Sequence, residues 1–83
     1  DLAEFFNMAE FGQLSRTKER RSSVTFELTG QSVEDRLNSD SKEFALESGM
    51  IAEAVQKETG KTCESEITIL DKENKVQFLA RFS

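Results

Sequence analysis

Residues 15–23 read SRTKERRSS, a segment without one apolar side chain. An element that packs on a core needs an apolar face, so this composition predicts a solvated connection. Within it, Lys18-Glu19-Arg20-Arg21 is the basic cluster of the chain. Simple solvation is the ordinary fate of such a run; contact with an acidic partner surface, or processing, is its functional alternative. With this stretch taken as a linker, the chain divides into an N-terminal amphipathic helix over 1–14, a polar basic linker over 15–23 and an α+β domain over 24–83.

On the N-terminal side, DLAEFFNMAEFGQL places Leu2, Phe5, Phe6 and Ala9 on one helical stripe, with Asp1 as N-cap and Gly12 as stop. On the C-terminal side, VTFELT alternates strictly, with Val24, Phe26 and Leu28 on one face, and Gly30 ends the strand. A helical turn, Val33 to Leu37, follows a Ser32 cap, with Asp35 as its weak capping partner. Asn38 and Ser39 then stop the turn, Asn38 in a left-handed conformation, and Asp40 restarts the chain as the cap of a longer helix, with Glu43 at capping-box spacing. That helix carries Phe44, Ile51 and Val55 and closes at Gly60. Gly49 inside it suggests a close approach to a sheet. Ile67 and Ile69 mark a second strand, DKENK a turn, and Val76, Phe78, Ala80 and Phe82 a third strand.

A right-handed helical crossover makes the second strand parallel to the first, and the hairpin makes the third antiparallel to the second. The most apolar strand belongs in the middle. The expected fold is therefore α+β: a three-stranded antiparallel/mixed sheet of order 1-3-2 on one main helix, a split βαβ unit of ferredoxin-like type, with an extra N-terminal helix. Its expected core is Phe26, Leu28, Phe44, Ile51, Val55, Ile67, Ile69, Val76, Phe78 and Phe82.

Composition narrows the chemistry. The 83 residues carry a net charge of -5 and include no His, Trp, Tyr or Pro. An acidic chain is a poor general ligand for nucleic acid or anionic membrane. Without His, the usual general base and nitrogen ligand for zinc are missing. One cysteine, Cys63, cannot form an internal disulfide or a thiolate metal cluster, and the four glycines build no phosphate loop. No cofactor and no metal are expected, and no segment suits membrane insertion. The chain starts with Asp1 rather than Met, which reads as a processed product, an excised domain or a fragment.

Residues 24–82 resemble the SEA domain. The resemblance rests on the strand of Phe26 and Leu28, the short helix of Asp35 to Leu37, the handoff Asn38, Ser41, Phe44, the helix of Ile51 and Val55, and the terminal hairpin. It implies a SEA-like fold and an extracellular, secreted or lumenal module that mediates contact. Many SEA domains cleave themselves at a Gly-Ser bond in the hairpin turn. The turn here, DKENK at 71–75, has no serine, so no autoproteolysis is expected.

Two functional classes follow. The first is a non-enzymatic protein–protein interaction module or small structural subunit, working in an oligomer or hetero-complex with other protein subunits. Its candidate partner-binding residues are Leu2, Phe5, Phe6 and Met8 on the helix and Arg16, Lys18, Arg20 and Arg21 in the linker, together with an open sheet edge. The second uses Cys63 as attachment point for a carried group or an intermolecular disulfide. Lys61 would lower that thiol's pKa and Glu64 would oppose it.

Overall fold

The computed structural model describes residues 1–39 and 43–83. Its elements run α1 (Leu2–Met8), β1 (Gln13–Glu19), β2 (Ser23–Thr29), α2 (Gln31–Leu37), α3 (Ala45–Thr59), β3 (Cys63–Leu70), a 3-10 turn (Asp71–Glu73) and β4 (Lys75–Phe82). The fold is α+β. The sheet has four strands in the order β1-β2-β4-β3, and every neighbouring pair is antiparallel.

The expectation of a three-stranded, mixed sheet is thereby overturned, and the segment SRTKERRSS is the reason. Most of it is strand β1 and the turn into β2, not a linker. A strand at a sheet edge is held by main-chain hydrogen bonds to its neighbour, whatever its side chains are. Here only Leu14 of β1 is buried, opposite Leu28 of β2. One apolar residue leaves no alternation to read. Within the larger sheet, β2 and β3 run the same way with β4 between them, and β1 adds beyond β2.

The helices share one face of the sheet. Phe6 of α1, Val33 and Leu37 of α2, and Phe44, Ile51 and Val55 of α3 and its approach join Leu14, Val24, Phe26, Leu28, Val76, Phe78 and Ala80 in one core. The coverage is thus by three helices, not by one main helix with an appendage. Of the expected core, Ile67 is 39% exposed, and Ile69 and Phe82 are only partly buried. β3 is the other edge strand, so its inward side chains are covered on one flank only. Phe6, Val33 and Leu37 take their place.

The opposite sheet face is uncovered and, apart from Leu70 and Leu79, polar. Lys75 bridges to Glu27 at 3.0 Å and Arg81 to Glu66 at 3.2 Å across neighbouring strands. Such cross-strand pairs let the face meet water.

Local details differ from the sequence reading as well. α1 ends at Met8, with Glu10 left-handed at φ 61°. α2 starts after Gly30, and Ser32 donates its hydroxyl to the Phe11 carbonyl at 3.1 Å instead of capping. Asn38 is in the right-handed region at φ -88°. The Asp40 cap and Ser41 lie outside the described residues. Glu43 itself accepts from the Ala45 N–H at 2.7 Å, and Gly60 closes α3 in the left-handed conformation at φ 71°.

Phe78 lies at the centre of this core, paired with Phe26 on one side and Ile67 on the other. Phe78→Ala is expected to cost roughly 3–5 kcal/mol, a large part of the stability of a domain this small. A urea midpoint unchanged from wild type would contradict this placement.

Candidate interaction surface

The surface grows from the turn between α1 and β1. Asp1 caps α1 by accepting from the Glu4 N–H at 2.8 Å. Phe6 points into the core, so its helical neighbours Phe5 and Met8 point away from it, 52% and 81% exposed. After the helix the chain must cross the end of β2 closely. Gly12 makes the crossing at φ 132°, where a Cβ would stand 2.7 Å from the Thr29 carbonyl oxygen. The crossing swings Phe11 back over α1. Its ring meets Phe6 edge-on at 5.5 Å and Phe5 at 6.2 Å.

Phe11 also lines a hollow with Leu46, at the start of α3, together with Arg36, Ser39, Glu43 and Glu47. Leu46 is 64% exposed. Phe11 thus stands between Phe5, which its ring meets, and Leu46, across a hollow that the two line together, with Met8 one turn beyond Phe5.

Beneath this surface sits a buried ion pair. Glu47 is only 2% exposed, and Arg36 donates to its carboxylate and to the Glu43 carbonyl. The same guanidinium stacks on Phe44, 4.0 Å from the ring centroid. The pair joins α2 to α3 at the rim of the hollow. Sequence reasoning missed it, because the two residues lie in separate helices with no motif linking them. Leu46 was within reach: it falls well away from the Ile51 and Val55 stripe on a helical wheel.

The candidate binding residues scatter. Leu2 is partly buried and lines a hollow of about 170 Å³ with Leu14, Arg16 and Phe26. Phe6 is fully buried within its own chain and offers nothing to a partner. Arg16 is engaged as well: it donates to Glu58 at 3.1 Å with one amine and pairs again with the other, and it stacks 5.3 Å over Phe26. That clamp holds β1 to the end of α3. Lys18 and Arg20 line a hollow on the uncovered sheet face, while Arg21 is exposed in the turn between β1 and β2. Lys18 and Arg20 are thus on the sheet face opposite α1, while Arg16 is on the helix side.

Cys63 is half-buried, and its N–H donates to the Gln56 side chain at 3.2 Å. Burial, and then the Glu64 carboxylate, push its thiol pKa up. Lys61 instead lies over the Phe82 ring at 5.9 Å. The thiolate needed for attack or metal ligation is disfavoured there. Among the described residues no group of three or more His, Cys, Asp or Glu is placed to hold a metal ion, and no helix is long and apolar enough to cross a membrane.

A small α+β domain with an apolar surface beside a buried ion pair is the class that fold and site define. The chain belongs to the DUF2507 family, described as a protein of unknown function, and the match runs over residues 1–81. No curated protein matches it.

Two outcomes test the polar clamps. Arg36→Ala leaves the Glu47 carboxylate buried without its counter-ion and is expected to cost about 3 kcal/mol, whereas Arg36→Leu/Glu47→Leu recovers most of that loss. A single variant as stable as wild type in urea would show that the pair carries no such strain when broken. For the second clamp, the Arg16 hydrogen bond, and then its charge, hold the Glu58 carboxyl below its usual pKa. A depressed folded-state pKa stabilises above the unfolded-state value and is lost as pH falls through the folded one. Glu58→Gln is expected to cost about 0.5–1 kcal/mol at neutral pH, because the pair is half exposed. The gap to wild type should close as pH drops below about 4.3; a gap that is constant with pH would refute the clamp.

Proposed function

We propose that this chain is a non-enzymatic protein–protein interaction module, or small structural subunit of a larger assembly. It contacts its partner through the apolar surface of Phe5, Met8, Phe11 and Leu46 and through an open sheet edge. The observation that carries the reading is the grouping of exposed side chains. Phe5, Met8 and Leu46 are exposed large hydrophobic residues, and Phe11 lies between two of them, edge-on to Phe5 and lining one hollow with Leu46. Singly exposed apolar residues are ordinary, but a contiguous group marks a contact site. The chemistry of the chain supports the same side: it has no imidazole, and its one thiol is held towards the protonated form.

The SEA resemblance supports an extracellular or lumenal contact module as a second reading. Its apolar positions Phe26, Leu28, Leu37, Phe44, Ile51 and Val55 all meet in one core.

Met8→Glu/Leu46→Glu tests the surface. Both side chains are exposed, so stability should stay within about 0.5 kcal/mol of wild type. The wild-type chain should hold a defined partner from an extract of its own cells, and the folded double variant should lose it. Equal retention by both would refute the role of the patch.

A further inference from the structure

Two sheet edges are open, and they are built differently. β1 carries a bulge at Thr17, where the register with β2 shifts between Arg16 and Lys18, and it is lined with charge. Bulges and charges are devices that keep an edge from pairing. β3 has no bulge, and its two charges, Glu64 and Glu66, both lie on the uncovered face, which leaves the helix side of that edge uncharged. It pairs with β4 without a register shift from Cys63 to Leu70, and among the described residues no strand lies along its outer edge, beside the exposed Ile67. The occupant such an edge takes is another extended strand.

We propose that this strand is β3 of a second copy, so that two chains join antiparallel into one continuous eight-stranded sheet. The proposal rests on the reading of the chain as a contact module and names the partner at its open edge.

Symmetry and charge limit the register. A two-fold axis normal to the sheet pairs residues that share a face. Centred on Glu66, it would oppose two glutamates; centred on Ser65, it would oppose Glu64 and Glu66 twice. Like charges directly opposite are unfavourable. Two centres oppose no like charges: Thr68, which sets Glu64 towards Lys72, and Ile67, which pairs the exposed Ile67 with its copy, Ser65 with Ile69, Glu66 with Thr68 and Glu64 with Leu70. The Ile67 centre also sets Lys61, just before β3, towards Glu73, just after it. Glu66 keeps its own Arg81.

The helices fit the same arrangement. α3 packs over both β3 and β4. Strands lie about 4.8 Å apart, so two such helices across a β3–β3 junction would be about 9.6 Å apart. Helices pack at about 8–10 Å, depending on the side chains at the contact. Glu47 and Glu58 mark the flank of α3 that faces α2 and β1. The other flank, towards β3, carries Ala45, Ser48, Ala52, Gln56 and Thr59, where Gln56 accepts from the Cys63 N–H, and Gly49 stands at its solvent-facing rim. The sequence suggested that Gly49 serves a close approach to the chain's own sheet, but a Cβ there would meet nothing within 4 Å. In the pair, that space is where the second α3 comes.

Sedimentation equilibrium on the full chain tests this. Wild type should be a monomer–dimer system, and Ile67→Lys and Gly49→Arg should each weaken the dimer about 30-fold or more. Gly49→Arg has open space around it in the monomer, so it should fold as well as wild type even if Ile67→Lys does not. Met8→Glu/Leu46→Glu should dimerise normally, which separates this result from a failure of the apolar patch. A monomeric wild type, or a dimer indifferent to Gly49→Arg, would overturn the proposal.

Discussion

At Gly12 the Thr29 carbonyl oxygen stands 2.7 Å from where a Cβ would be, and the backbone is at φ 132°. A side chain at that corner would have to displace the backbone of β2. Because none is present, the chain leaving α1 can pass under the end of β2 and run back along its free edge. Three consequences depend on that passage. Leu14 lands opposite Leu28 and enters the core. Phe6 comes down over the same face. Phe11 is turned outward enough to touch Phe5 on one side and to line the hollow with Leu46 on the other. The fourth strand, the docking of α1 and the apolar surface are one structural event.

Two ion pairs then fix how the helices sit. They differ in what they ask of the protein. Arg16 and Glu58 are both substantially exposed, so their attraction is screened and modest, although the bidentate geometry and the Phe26 ring set its direction. Glu47 has been taken out of water, which costs several kcal/mol unless a counter-ion and further hydrogen bonds replace the lost solvation. Arg36 supplies the counter-ion, and its remaining amine finds the Glu43 carbonyl. An apolar pair could fill the same space, so the ion pair is better understood as setting the angle of α2 on α3 than as adding stability.

Legibility in the sequence followed coverage by the core. β2 has one face buried along its whole length and β4 has one buried from Val76 to Ala80; both alternate cleanly and could be read as strands. α3 could be read from Phe44, Ile51 and Val55. β1 buries Leu14 alone, so its apolar signal is a single residue, and a polar run at a sheet edge is indistinguishable by composition from a linker. The same blindness hid the site. Arg16 looked available because charge is normally solvated, and only the fold brings Glu58 to it. Phe6 and Phe5 are adjacent in sequence and equal in chemistry; which of them is core depends on the rotation of a helix only seven residues long. Arg36 and Glu47 meet through two helices whose relative placement no local pattern encodes.

The two faces of the sheet and its two edges divide the surface into regions with different demands on solvent. The uncovered face pairs Lys75 with Glu27 and Arg81 with Glu66 across its strands and meets water. The β1 edge is bulged and charged. What remains is the helix-side surface around Phe5, Met8 and Leu46, and the β3 edge at Ile67. Met8 and Leu46 add almost nothing to the core, since most of each side chain is in water, and a polar residue at either position would leave the packing beneath intact. The fold therefore does not explain their chemistry. Grouped apolar exposure lowers the solubility of a free chain and becomes favourable only when another surface removes it from water, at about 25 cal/mol for each Å² covered. That difference between what the fold requires and what the surface carries is the physical basis for treating this domain as one part of a contact.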